Sequence, residues 1–322
     1  MSDTAPRVDQ GSRLVLYAAL AGNLLVAVTK FVAAWITGSS AMLSEAVHST
    51  ADTSNEILLI HGERRSKRPP DDTHPLGYGR EVYFWSFMVS VLLFALGAGV
   101  SFWEGVRHVM DPEPVESPMV SYAVLALAAV FESASWWFAF REFRRRMGSR
   151  TMLETARETK DPSTIMVFLE DSAALVGIAF AFAGTAASQF LHQPIYDGVA
   201  SIAIGVLLAV VALFTARENK QLLIGEAASP ALAESIGRIA KSEPGIAAYN
   251  GLISIQLAPH EVVAALSLDF EDSLRAADVQ RVVKHLEGRI REKHPDVVLL
   301  LVKPQEPEVY RTAHERWIAG PG

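Results

Sequence analysis

Three features of the chain point to an α-helical membrane protein: a six-transmembrane-helix bundle followed by a C-terminal cytoplasmic α+β domain. Half of its 322 residues are apolar and a fifth are charged, yet the two classes are segregated, with the charges gathered between long apolar stretches and after them. The connections between those stretches alternate between basic and base-poor. From residue 228 onward the long apolar runs give way to short amphipathic patterns of the kind a water-soluble domain carries.

About 20 apolar residues cross a bilayer's hydrocarbon core. Stretches of that length lie at about 14–37, 40–62, 82–106, 118–140, 163–187 and 195–216. The tight GSS turn, the segment RHVMDPEPVES and the Lys/Arg-free SQFLHQPIYD join alternate pairs. The remaining connections are basic. Arg64, Arg65, Lys67, Arg68 and Arg80 follow the second stretch; Arg141, Arg144, Arg145, Arg146, Arg150, Arg157 and Lys160 follow the fourth; Arg217 and Lys220 follow the sixth. Basic residues of short loops stay on the cytoplasmic side, so a six-span reading puts both termini there. The expected location is the cell's inner (plasma) membrane, multi-pass, in a lipid bilayer. The opening residues MSDTAPRVDQGS hold no apolar run, so no cleavable signal peptide is expected. The absence of cysteine excludes disulfides and thiolate metal sites.

The organisation that follows is a polar N-terminal segment at 1–12, a membrane domain at 13–227, a soluble domain at 228–304 and a loosely ordered polar tail at 305–322. In the soluble domain ALAESIGRIAKSE has helical spacing, LISIQLAP and EVVAALSLDF read as hairpin strands, AADVQRVVKHLEGRIREKH is an amphipathic helix and VVLLLVKP a strand. The order αββαβ implies a two-layer, ferredoxin-like α+β unit.

The second span departs from its neighbours. SAMLSEAVHSTADTSNEILLIHGE places Glu45, His48, Asp52, Asn55 and Glu56 within the bilayer region, and residues three and four apart share a helix face. A charged group at the centre of a span costs about 2.5–3.5 kcal/mol on insertion scales, so several together call for a compensating partner. A bound cation is one, and a water-filled cavity is another. His48 and Asp52 lie at the core of the stripe; for Glu45 and Glu56, nearer the ends, snorkelling or lining a cavity stands beside ligation. The fifth span supplies the adjacent acids Glu170 and Asp171, which point about 100° apart on a helix, so that both need not face one site. One imidazole with two or three carboxylates suits zinc and tolerates manganese, iron, cobalt or cadmium.

Other polar residues carry two readings. Asn23 and Lys30 can pair with acids across the bundle; Glu132 can line a pathway or bond a neighbouring helix; Asp197 reads as the cap or start of the sixth helix. No HExxH motif or nucleophile motif occurs, which argues against a membrane metallohydrolase. The chain reads as no enzyme, with no resident cofactor and no nucleic-acid partner.

GSSAMLSEAVHSTAD at the second span, HPLGYGRE before the third, ED in the fifth and YDGVASIAIG opening the sixth, with the αββαβ tail, resemble the cation diffusion facilitator family, and within it the branch that includes the mitochondrial zinc transporter. The resemblance spans nearly the whole chain. It implies transport of a divalent metal ion, zinc first, in exchange for protons by alternating access, and a homodimer held by the tail domain. It also implies a tetrahedral site from two His/Asp-x-x-x-Asp pairs. His48 and Asp52 match one pair and Asp171 the second position of the other, while the first position is occupied by Val167, which cannot ligate; Glu170 is the substitute, with a water or a backbone carbonyl as the alternatives. Asp71 and His74 match a loop metal site whose further position reads Tyr78. His260, His285 and His294 form no ligand pattern and read as surface histidines.

Overall fold

The computed structural model describes residues 10–115, 117–147, 160 and 162–319. The polar residues 1–9, most of the basic connection after the fourth apolar stretch and the last three residues lie outside the described residues. The chain divides into two compact units, one of residues 1–65 and 81–220, the other of residues 66–80 and 221–322. The loop at 66–80 groups with the C-terminal unit. There Gly79 lies so close to the turn around residues 257–261 that an added Cβ would stand 2.8 Å from the Glu261 carboxylate and 3.0 Å from the Leu257 carbonyl.

The first unit is helical: α1 (Gln10–Thr37), α2 (Ser40–Ser66), α3 (Glu81–Met110), α4 (Pro118–Met147), α5 (Pro162–Leu191) and α6 (Ile195–Ile224). Their starts and stops follow local chemistry. Pro118 and Pro162 open α4 and α5, where the missing N–H is one that no helical carbonyl would bond. Gly38, at φ +65°, ends α1 in the left-handed conformation that glycine adopts without penalty, and its amide bonds the Ala34 carbonyl at 2.9 Å. A π-helical turn at Leu93–Ala98 interrupts α3.

Among the described residues four helices are long and apolar enough to cross a membrane: Glu81–Met110, Pro118–Arg141, Ile165–Leu191 and Ile195–Ile224. In α1 only Asn23–Thr37 carries described side chains. In α2 the acids, His48 and the hydroxyl residues lower the hydropathy of a helix that is long enough, at 27 residues. Outward-facing apolar side chains such as Leu25, Trp35, Trp103, Phe138 and Val210 are what a helical membrane protein presents to lipid. Inside, small residues let the helices close up. An added Cβ at Gly205 would lie 2.7 Å from the Phe102 amide, and one at Gly105 2.6 Å from the Ile202 amide, so α3 and α6 meet nearly backbone to backbone.

The second unit has α7 (Pro230–Lys241), β1 (Ile246–Ala258), β2 (Glu261–Phe270), α8 (Ala276–Lys293), β3 (Val297–Pro304) and α9 (Pro307–Ala319). β1 pairs antiparallel with β2 and β2 parallel with β3, giving the sheet order β1-β2-β3. Alternation along β2 separates two faces. Ala264, Leu266 and Leu268 turn to a core with Ile236, Leu286 and Ile290 of α7 and α8. Ala265 and Ser267 turn the other way, toward Tyr310, His314 and Trp317 of α9 across a cavity of about 170 Å³. The tail, read from its prolines as loose, is thus helical: its apolar residues recur every three or four positions, and the Tyr310 ring lies against Gly251, where any side chain would collide with it.

Candidate functional site

The polar stripe of α2 is buried. Glu45 and His48 have no exposed surface and Asn55 almost none, whereas the Asp52 side chain keeps 21% exposure. His48 and Asp52, one turn apart, bring Nδ1 and Oδ1 to 3.4 Å. Neither ring nitrogen of His48 nor Oδ1 of Asp52 has a hydrogen-bond partner among the described residues. Buried polar groups left in that state are costly, and they mark where a ligand, proton or water belongs.

Asp52 and Glu56 line a cavity of about 300 Å³ together with Asn23, Ser49, Glu132, Ser135, Val167, Glu170 and Asp171. Four helices supply its walls: α1, α2, α4 and α5. A water needs roughly 10–15 Å³ of such space, so the cavity has room for an ion that keeps part of its hydration. The adjacent acids of α5 both line it, despite their angular separation. His48 and Glu45 are not among the lining residues; they sit behind the wall that Asp52 and Ser49 form.

Most of the carboxylates are held. Asn23 donates to Glu56 Oε1 at 2.9 Å, Asn55 to Glu170 Oε1 at 3.0 Å and Ser135 to Asp171 Oδ2 at 2.8 Å. Lys30, also fully buried, donates to Glu45 Oε2 at 3.1 Å and Ser49 Oγ at 2.7 Å. Both polar residues of the first span therefore do pair with acids across the bundle. The other oxygen of Glu45 is directed at α5, where Gly177 leaves it room. Among the described residues no three His, Asp or Glu side chains converge closely enough to hold a metal ion as they stand.

The loop pair is a different environment. His74 Nδ1 lies 3.5 Å from Asp71 Oδ1, with both side chains half exposed. Both Asp71 oxygens already accept hydrogen bonds: Oδ2 from the Tyr78 hydroxyl at 2.7 Å, Oδ1 from the amides of His74 at 2.7 Å and Thr73 at 3.0 Å. The Tyr78 bond first, then those amides, hold the Asp71 carboxyl below the usual range. In the C-terminal unit the three histidines are apart from one another in their partners: His260 stands 3.8 Å from Asp296, His285 bonds Glu243, and His294 Nε2 meets Ser235 Oγ at 2.8 Å.

Sequence reasoning missed Ser135 and Asn55 as the donors that orient Asp171 and Glu170. The spacing held one signal, since Ser135 stands three residues after Glu132 and therefore on its face. Asp197, read as the cap or start of the sixth helix, does lie in its first turn, and its carboxylate in addition serves the start of α2.

The transmembrane region from residue 16 to 224 matches the family model described as the cation efflux transmembrane domain. The mouse proton-coupled zinc antiporter SLC30A9, mitochondrial, is 33% identical over 264 residues, 81% of this chain and 47% of its own. The Arabidopsis thaliana metal tolerance protein C4 is 34% identical over 221 residues, 68% of this chain and 48% of its own. The cation-efflux pump FieF of Cronobacter sakazakii is 27% identical over 295 residues, covering 89% of this chain and 92% of its own. The chain thus spans about half the length of the first two relatives. These likenesses correct the expected plasma-membrane location, because the mouse, human, orangutan and frog relatives are all mitochondrial proteins. Charge in the loops orients a chain relative to its membrane but carries no information about which membrane that is. With two-thirds of its length matching the family model and a third of the aligned residues identical to such relatives, the chain belongs to the cation efflux family, the cation diffusion facilitators.

Proposed function

We propose that this protein carries a divalent transition-metal ion, zinc first, across a membrane in exchange for protons. The observation that carries the reading is the cavity among α1, α2, α4 and α5, ringed by Asp52, Glu170 and Asp171 and backed by the unpartnered imidazole of His48. In this reading α1 to α6 are six spans, the second unit is a ferredoxin-like domain that holds a homodimer together, and His48, Asp52, Glu170 and Asp171 are the metal ligands. The names of the relatives, a proton-coupled zinc antiporter among them, support zinc and proton coupling. The nitrogen and oxygen donor set also accommodates manganese, iron, cobalt or cadmium.

The chemistry follows from the residues. Metal binding requires a neutral imidazole and ionised carboxylates, so protons and metal compete for the same atoms. An ordinary histidine exchanges its proton near pH 6.5, within the range over which two aqueous compartments differ. Ser135 and Asn55 hold Asp171 and Glu170 by one oxygen each and leave the other for a cation. Asp52, Glu170 and Asp171 line the cavity without converging and His48 stands outside its lining, which fits a state between binding events; approach of α2 and α5 closes the four on the ion, in keeping with alternating access. Glu45, tied to Lys30, serves the site by position, and the loop pair Asp71 and His74 is a secondary site that must displace the Tyr78 hydroxyl to bind. The test is zinc flux into proteoliposomes with a pH-sensitive dye inside. Asp52→Ala abolishes both the zinc flux and the linked pH change while the protein stays monodisperse; full flux in that variant refutes the site.

A further inference from the structure

Two acids of the cavity lie outside the chain's motifs, Glu56 of α2, which accepts a hydrogen bond from Asn23, and Glu132 of α4. Glu132 of α4 lines it together with Asp52, Glu170 and Asp171. Its place is set by the docking of α4 on α5. Ser135 donates to Asp171 at 2.8 Å and the Trp136 indole to Ser172 at 2.9 Å, while Tyr122 bonds Gln189 at 3.0 Å, so the two helices run antiparallel in a fixed register. Glu132 precedes Ser135 by three residues. It therefore shares the face that meets Asp171 and lies about 4.5 Å further along α4, at 1.5 Å per residue. Val167 precedes Asp171 by four residues on the antiparallel helix, so it lies on the other side of the Ser135–Asp171 contact. Glu132 does not stand where Val167 stands; it brings a carboxylate to the opposite end of the same cavity.

The acids in and behind the cavity differ in one respect. Glu45, Glu56, Glu170 and Asp171 each accept a hydrogen bond from Lys30, Asn23, Asn55 or Ser135. Asp52 and Glu132 accept none among the described residues; the His48 ring stands 3.4 Å from Asp52. Two carboxylates without hydrogen-bond donors, lining one cavity with Glu56, Glu170 and Asp171, are an arrangement a cation relieves.

We infer that Glu132 is a direct ligand of the transported metal ion, contributed by the fourth helix and paired across the cavity with Asp52. The inference rests on the reading of this cavity as the metal site. A carboxylate on α4 makes the site draw on three helices, α2, α4 and α5, so that movement of α4 is coupled to binding and release. It also supplies an oxygen in a chain whose fourth motif position is valine, shifting the site toward harder, oxygen-liganded cations.

The test is metal binding by the full chain in detergent, with Asp71→Asn and His74→Gln in every variant so that the loop contributes nothing. Zinc affinity is measured by equilibrium dialysis, and Co²⁺ absorption reports the ligand set. Glu132→Gln weakens zinc binding at least tenfold and alters the Co²⁺ spectrum. Glu132→Asp, which keeps the charge on a shorter arm, folds like the parent and recovers part of the affinity with a spectrum of its own. The inference is overturned if Glu132→Gln and Glu132→Asp both bind zinc within twofold of the parent with its spectrum, while Asp52→Asn loses binding. If Asp52→Asn also binds as the parent does, the reading of the cavity falls and the role of Glu132 falls with it.

Discussion

Asp197, on α6, accepts a hydrogen bond from the Ser39 hydroxyl at 2.8 Å, where α2 begins. The same buried carboxylate accepts from the Ser40 hydroxyl at 3.1 Å, the Ala41 amide at 3.1 Å and the Thr185 hydroxyl at 3.4 Å. The first amides of a helix have no intrahelical acceptor, and here a carboxylate from another helix supplies one and adds a negative charge where the helix dipole favours it. The contact sets the height of α2 against α6 and, with it, the height of His48 and Asp52.

Removing that acceptor leaves several buried donors stranded, each costing on the order of 1–3 kcal/mol when unsatisfied. Asp197→Ala is expected to lower stability by about 3 kcal/mol and to reduce zinc flux. Asp197→Asn, which keeps one acceptor oxygen, falls between that variant and the parent. Thermal unfolding in detergent, read beside flux, checks the order.

The Lys30–Glu45 pair lies wholly out of solvent at 3.1 Å. Breaking a buried pair from one side costs about 3–5 kcal/mol, because the other charge is left alone. Lys30→Met is therefore expected to unfold far more readily than Lys30→Met with Glu45→Gln, which removes both charges. If Glu45 acts by position, Glu45→Gln alone keeps zinc affinity within a few-fold of the parent; a tenfold loss would instead make it a ligand.

In the C-terminal unit Glu243 is buried, which raises its carboxyl pKa, but the hydrogen bonds and charges of His285 and Arg289 outweigh burial and hold it below 4.5. A carboxyl whose folded pKa is depressed contributes stability that is present above its unfolded pKa and is lost as pH falls through the folded one. Unfolding followed by circular dichroism is thus expected to show stability dropping below about pH 4.5, the unfolded value for such a group. In Glu243→Gln that part of the pH dependence is absent, and the drop is shallower.

Much of this molecule was legible in its residues. Each of the six stretches falls on a helix, and four of those helices are long and apolar enough among the described residues to cross a membrane, hydropathy over some twenty residues being a local property; the hairpin and amphipathic helix of the second unit follow from periods of two and 3.6. The stripe of α2 was visible as well, since polar residues three and four apart must share a face whatever surrounds them. Tyr310 and Trp317 were less visible, as a short polar helix shows its purpose only against the sheet face that receives it. The expected plasma membrane was not borne out, because loop charge orients a chain in its membrane without saying which membrane that is.

Local order thus told where the helices run and which of their faces is polar, because both depend on neighbours within a turn or two. Which acids meet which donors depended on long-range packing. Lys30 could have reached any of several carboxylates, and it is the register of α1 on α2 that gives it Glu45 and Ser49. Likewise the antiparallel docking of α4 on α5 brings Ser135 to Asp171 and leaves Glu132 with no donor at the cavity. Pairing of polar side chains from 15 to 158 residues apart is a property of the assembled bundle, since a side chain's partner is whatever the packing of small residues allows to come within hydrogen-bonding reach.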